Sequence, residues 1–579
     1  MTKVLYTCGW IILGLFLFTT QVDAATVTQT IQREYVVSRD KVSVTETLKV
    51  KLNDSRFEIP AGNEKFLIFN PIPNDPDAQS KINKTLPTIS VRNALGTAVN
   101  FSTQTTGQNI EIIVPRSQII RFGTEFVLTV TYDSYALLYQ TGAIFDFYPP
   151  SFSKDFVFSD QNSELSISTR VKIPASLGEV NFTLPNKAAT LVDGFWTYDF
   201  THQELTGTVA WIQIGTKQFY QFELRQPVTG NSVIPFLQNK YSVLLPRDIV
   251  SGGLAQSVFF SEISPSPTST YIDEEGNLVA EFFISEGTSE ILVKGYASLV
   301  QDTSFDVKNS GTLSQLSAAE SHKYTAAAEF WESTAPEITS AAAGLKTGED
   351  IYSLITGSYK FVIDRIDYSD VKRFGINERQ GALKTLQGGA AVCMEYSDLF
   401  IALMRAQGVP ARAAFGFGYD PRAGDTLDTA HQWAEVYLPA QDTWLSVDTT
   451  WGESGPEVIG ANLNHFFHYV ASTDPQTPAP VTAQLYGQGG EIQPSQFSIT
   501  ALPSIPSTDF QTQAEILEKF PKNESPYILQ LILDYSKELV IGVLVISGLV
   551  IAYKLVRARR TPLQSTPTPH LSAHNTPRL

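Results

Sequence analysis

The chain has 579 residues, and 42 Lys and Arg stand against 59 Asp and Glu, a formal net charge of −17. That acidity excludes nucleic acid and anionic lipid headgroups as the main partners, because both call for a basic surface. The length allows about three or four ordinary domains, and a hydrophobic content of 43% is that of globular material able to bury several cores.

The first segment reads as a signal peptide, residues 1–24. Lys3 supplies the positive start, Gly9 to Phe18 form the apolar run, and Val22-Asp-Ala24 ends in small residues. Cleavage after Ala24 removes Cys8 and leaves Cys393 as the one cysteine, so no internal disulfide is expected and the domains must hold by hydrophobic burial.

Residues 25–219 read as a β-sandwich domain. Val42, Val44, Leu48, Val50 and Leu52 alternate with polar residues, the pattern of a strand with one buried face. Glu111 to Val114 and Phe126 to Thr131 are further β-rich runs, set apart by Gly, Pro, Asn and Asp clusters. A second, smaller sandwich is expected over 220–310. Its clearest piece is a hairpin, Thr270 to Ile272 and Leu278 to Ile284, with Gly276 and Asn277 placed where a turn requires positive φ.

After Gly311 the composition becomes helical. Ser317-Ala-Ala-Glu320 is a capping box, and Ile351, Leu354, Ile355 and Val362 mark one helical face. An α+β domain with a β-rich C-terminal extension is assigned to 311–510, and a juxtamembrane segment to 511–538. The uncharged run from Leu539 to Tyr553, extended to 539–556 if Lys554 snorkels, is expected to be a transmembrane helix. Arg557, Arg559 and Arg560 follow it, so the positive-inside rule places a short, disordered tail, 557–579, in the cytoplasm and the bulk of the chain outside the cell. The expected location is therefore the cell membrane, single-pass, with the lipid bilayer a partner through that helix.

Cys393 carries the chemistry. Gly388 and Gly389 precede it as a flexible turn, Tyr396, Leu399, Phe400, Leu403 and Met404 fall at helical spacing, and Gly408 is a natural C-terminal stop. The thiol therefore sits in the first turn of a helix, where unpaired amides and the dipole favour a thiolate nucleophile. His431 opens an alternating strand, Ala430 to Leu438, and Trp444 to Asp448 reads as the returning strand. A two-residue loop sets Asp448 opposite His431; a four-residue loop sets it opposite Trp433, still on the histidine's face, whereas an odd loop separates them. The set Cys393, His431, Asp448 thus has the parts of a nucleophile, a proton carrier and an orienting acid. Glu395 and Asp398 are read as serving the helix N-terminus, Trp433 and Trp451 as packing, and His202, His322, His465 and His468 as ordinary histidines. No cofactor or metal site is expected, since no phosphate loop, His-Glu-x-x-His or Cys/His cluster occurs; Asp420 to Asp425 lacks the calcium-loop spacing.

The runs Gly389-Ala-Ala-Val-Cys-Met-Glu-Tyr-Ser-Asp-Leu-Phe400, Gln407-Gly-Val-Pro-Ala-Arg412, His431-Gln-Trp-Ala-Glu-Val-Tyr437 and Val447-Asp-Thr-Thr-Trp-Gly452 resemble the transglutaminase-like superfamily of papain-type thiol enzymes. The likeness extends over about residues 318–470 and is best from Gly381 to Gly452. It implies a papain-like α+β fold behind the β-sandwich domains, with Cys393 as nucleophile, His431 as general base and acid, and Asp448 as orienting carboxylate. The family often shows Gly-x-Cys, and the longer separation here leaves the shape of the cysteine turn open. The implied reaction is attack on a glutamine carboxamide or peptide bond of a protein or peptide substrate, giving a thioester resolved by an amine or by water. Acyltransferase, cysteine peptidase or amidase, and a non-catalytic adhesion or scaffold module all remain open at this point.

Overall fold

The computed structural model describes residues 26–522, apart from 73–74, 151–162, 206–209, 231–238, 285–286, 376–377, 420–425, 453–457, 461, 472–480, 485–490 and 508, together with the backbone of a helix at Ser536–Arg559. The chain divides into two units, Met1–Phe520 and Pro521–Leu579. The signal-peptide reading at 1–24, the Asp420–Asp425 loop and the tail from Thr561 lie outside the described residues.

Alternation of apolar and polar side chains builds the first β region. The strand Val42–Leu52 buries every second residue and pairs antiparallel with Val27–Val37 at its centre, in a seven-stranded sheet. One hydrophobic core, including Val44, Val50, Ile112, Phe147 and Ile212, joins this sheet to a three-stranded and a four-stranded sheet. Within Val42–Leu52 the alternation is broken at Glu46, which faces inward at 7% exposure with its charge met by Arg33 at 3.4 Å.

The strands of the second β region do not close on themselves. Lys217–Gly230, Leu254–Ser264 and Gly287–Gln301 run through Ile249–Ser251 into Thr443–Val447, Ala430–Leu438, Ala411–Gly418 and His465–Ala471, so an eleven-stranded sheet crosses residue 310 without a break. The junction is a parallel pairing of Ser251 with Trp444, reinforced by the Ser251 and Ser446 hydroxyls at 2.9 Å. The late strand Gln496–Leu502 returns to pair with Lys217–Gly230. In the hairpin Ser269–Ile272 to Leu278–Ile284, Gly276 takes φ +88°. Asn277, expected to share that role, is instead buried and donates its side-chain amide to the carbonyl of Val470 at 2.9 Å, a tertiary tie that turn chemistry does not reveal.

The helices pack on the other side of the shared sheet. Ile351–Arg365 buries Ile351, Leu354, Ile355 and Val362 behind an Asp350 cap, whose carboxylate accepts from the amide of Ser353 at 2.9 Å. Cys393–Ala406 buries Tyr396, Leu399, Phe400, Leu403 and Met404 completely, each contributing about 1.5–3 kcal/mol of transfer free energy. It ends at Gln407, with Gly408 at φ +88° as the left-handed residue that lets the chain turn into the next strand.

Among the described residues, no helix is long and apolar enough to cross a membrane. In the second unit, Ser536–Arg559 is one continuous helix whose side chains are described from Val543 to Leu555, and those are exposed.

Candidate active site

Cys393 is the first residue of its helix, because Val392 before it is extended at φ −128° and ψ −170°. Glu395 holds that turn in place. One carboxylate oxygen accepts the Val392 amide at 3.1 Å; the other takes the Gln380 amide at 3.0 Å and the Lys372 ammonium at 2.6 Å, all out of water. A Cβ on Gly389 would stand 2.0 Å from Gln380 Oε1, so a side chain there would displace that glutamine. The thiol is free and partly exposed.

One turn on, Asp398 does not serve the helix N-terminus. It is fully buried and collects Trp331 Nε1 at 2.8 Å, Arg379 Nε at 2.8 Å and Gln432 Nε2 at 3.0 Å. Ser397 Oγ stands 3.0 Å from the carbonyl of Gln432. The cysteine helix is thus pinned to the residue that follows His431, which fixes the separation of thiol and imidazole. These partners come from segments 19 to 67 residues away, out of reach of any local pattern.

His431 and Asp448 meet through strand register. Leu438 pairs with Thr443 and Ala434 with Val447, a four-residue loop that sets Asp448 next opposite Trp433, on the face of His431. His431 Nε2 lies 2.8 Å from Asp448 Oδ2, and the imidazole lines the same cleft as the Cys393 thiol. Gly418 makes room for the ring, since a Cβ there would press 2.8 Å from His431 Cδ2; Gly416, which pairs with His431 across the strands, instead lets the backbone of Phe466 approach. The ring stacks on Trp451, with centroids 5.4 Å apart at 15°. The Asp448 backbone is fixed too: its carbonyl accepts from Tyr359, whose hydroxyl also receives the Val458 amide at 2.7 Å.

The electrostatics favour an ionised cluster. Burial alone pushes the His431 imidazole down, but the charge and hydrogen bond of Asp448, aided by Cys393, reverse that and hold its proton well above the usual imidazole range. Burial likewise pushes the Asp448 carboxyl up, and the charge of His431 with the hydrogen bonds of His431 and His465 brings it well below the usual carboxylate range. With Nε2 on Asp448, Nδ1 is the nitrogen left for the sulfur, an arrangement suited to thiolate–imidazolium chemistry.

Cys393 and His431 open into a cleft of about 640 Å³ whose walls include Phe415, Phe417, Tyr469 and Phe497. Phe417 and Phe497 stack at 4.3 Å, so the late strand that joins the second β region forms one wall. Trp451 does not line this cleft. His468, read as ordinary, donates within the core to the carbonyl of Leu244. His465, read the same way, instead reaches Asp448 Oδ2 at 3.2 Å. Sequence gave no signal for it beyond a histidine on an apolar strand. The donor atoms of His431, Asp448 and His465 lie within 4.8 Å of one another, a spacing a metal ion could use. In this structure all three are already engaged in direct hydrogen bonds.

Residues 339–449 match the family model of the transglutaminase-like superfamily, and this stretch is a transglutaminase-like domain. Among solved structures, one described as a candidate cysteine protease from Cytophaga hutchinsonii is 14% identical, covering 52% of this chain and 94% of that one at a TM-score of 0.36. A candidate protease from Parabacteroides distasonis is 10% identical, with coverage of 76% and 72% and a TM-score of 0.18. The periplasmic domain of TgpA from Pseudomonas aeruginosa is 17% identical, covering 41% and 90% at 0.20. At these scores the likenesses carry no functional argument. No curated protein matches the chain.

Proposed function

We propose that the chain is a membrane-tethered, extracellular thiol acyltransferase of transglutaminase-like type. The observation that carries this is the buried His431–Asp448 hydrogen bond with His431 and the Cys393 thiol lining one aromatic cleft. The Cys393 thiolate attacks the carbonyl carbon of a glutamine carboxamide. The S–C bond forms, the C–N bond breaks, and His431 gives its proton to the departing ammonia. The resulting thioester is then opened by a primary amine or by water, His431 taking a proton from the incoming nucleophile. The Cys393 amide, at the unpaired start of the helix, is a donor for the developing oxyanion. Tethering through 539–556 rests on the uncharged run Leu539 to Tyr553 in the sequence and the arginines that follow it.

The test is incubation of the full-length chain with a glutamine-containing peptide and a labelled primary amine, followed by mass spectrometry. The expected result is a peptide-sized thioester on Cys393 and amine-coupled product, both lost in Cys393→Ala. Thioester formation followed only by hydrolysis assigns the peptidase or amidase reading. Absence of any covalent intermediate with a panel of amide substrates leaves a non-catalytic module.

A further inference from the structure

Asp448 is shared between two histidines. Its Oδ2 faces Nε2 of His431 at 2.8 Å and Nε2 of His465 at 3.2 Å, while Oδ1 takes the amides of Thr450 at 2.9 Å and Trp451 at 3.3 Å. The other nitrogen of His465, Nδ1, faces Asn462 Oδ1 at 3.0 Å. That atom is an oxygen on chemical grounds, because the backbone N–H of Asn464 donates to it at 2.9 Å; an amide nitrogen there would set donor against donor. Both ring nitrogens of His465 therefore face acceptors. A neutral imidazole has a single N–H and would turn a lone pair toward one of those oxygens, whereas the imidazolium satisfies both.

We propose that His465 is a protonated positioning residue that shares Asp448 with His431, so that the buried carboxylate lies between two cationic imidazoles. This rests on the catalytic reading of Cys393, His431 and Asp448. The His465 side chain is 1% exposed and packed between aromatic rings, Trp451 at 4.3 Å and Trp433 at 5.0 Å between centroids. Among the described residues, the titratable groups that face it are Asp448 and His431, with Cys393 beyond His431. From the first β region, Asp146 is linked to it more remotely: Gln213 Nε2 lies 3.0 Å from Asp146 and 3.1 Å from Asn464 Oδ1. The role follows from charge balance. A lone Asp448 would hold the His431 proton too tightly for easy release to the leaving group. The second cation offsets part of that pull and fixes the carboxylate's direction.

The test uses histidine-selective ¹⁵N labelling of the full-length chain and reads the ring nitrogens near neutral pH. Two protonated nitrogens are expected for His465, assigned by their loss in His465→Gln. If that variant does not fold, Asn462→Asp supplies the assignment, since it keeps the ring and perturbs its Nδ1. A single protonated nitrogen overturns the proposal. So does a stoichiometric divalent metal retained by the purified protein, because that ion would occupy the proton's place. In the activity arm, His465→Gln keeps a donor and removes a charge, so both limbs of the pH–rate profile move to higher pH by on the order of one unit. A lower rate with both limbs unmoved marks a packing role and overturns the charge argument. Should the wild type prove inactive, the nuclear resonance arm still decides the state of His465 and only the catalytic reading falls.

Discussion

The seven-stranded sheet near the N-terminus and the cysteine helix with its strands handle charge in opposite ways. On the sheet, Arg170 and Asp199 pair at 2.7 Å with more than half of each side chain in water, and in the turn after Val42–Leu52 an exposed Arg56 pairs with Asp54. Around the helix, Lys372–Glu395, Arg379–Asp398, Arg412–Glu435 and His431–Asp448 are all buried. A buried pair is a poor source of stability, since desolvation consumes much of the attraction, but it tolerates little displacement once made. The sheet is therefore held by its apolar faces, and the site by charges whose loss is costly. The division has exceptions in the sheet region, where Arg116 and Glu64 are also buried at 2.7 Å.

The comparison is broken most severely at Asp448. Asp448→Asn should lower kcat for amine incorporation by about 10²–10⁴-fold, because the imidazole loses both its orientation and its counter-charge. Its effect on stability depends on pH. The His431 proton is held above its usual range, so the stability it contributes is complete below about pH 6.5 and is lost as pH rises through the folded value. Asp448 is held below its usual range, so its contribution is complete above about pH 3.9 and is lost as pH falls through the folded value. Denaturant unfolding should show the wild-type advantage greatest between about pH 4 and 6.5, narrowing on either side.

Asp398→Ala comes next, at about 3–5 kcal/mol of destabilisation, because Arg379 and the Trp331 and Gln432 donors are left buried without their acceptor. Thermal or urea unfolding checks it, and Asp398→Asn should cost less. His468 gives a smaller effect of a different kind. Burial pushes its imidazole down to about 4, partly opposed by the bond to Leu244, so the folded state refuses a proton that the unfolded chain accepts. Stability is lost as pH falls from about 6.5 toward 4, by on the order of 3 kcal/mol, and His468→Gln should flatten that slope. Arg170→Ala on the exposed sheet should change stability by about 0–1 kcal/mol, weaker still in high salt. A large effect there would collapse the contrast between the two regions.

What was legible in the sequence follows the range of the interactions. The helix face of Tyr396, Leu399, Phe400, Leu403 and Met404, the stop at Gly408 and the even-loop register of His431 and Asp448 depend on neighbours within a few residues or one hairpin. The hub at Asp398 was taken for a helix-end charge because Trp331 and Arg379 approach it only in the folded chain. His465 was hidden for the same reason, since its meaning lies in Asp448 and Asn462 together. The passage of the long sheet from Ile249–Ser251 into Thr443–Val447 rests on one parallel contact, Ser251 with Trp444, which no turn signal announces.

The central claim is that His431 activates the Cys393 sulfur, and alkylation measures it directly. Iodoacetamide applied to the full-length chain at about pH 6 should modify Cys393 rapidly in the wild type and at least about tenfold more slowly in His431→Ala. Equal, slow modification of both proteins would show that the imidazole does not activate the thiol, and would contradict the account.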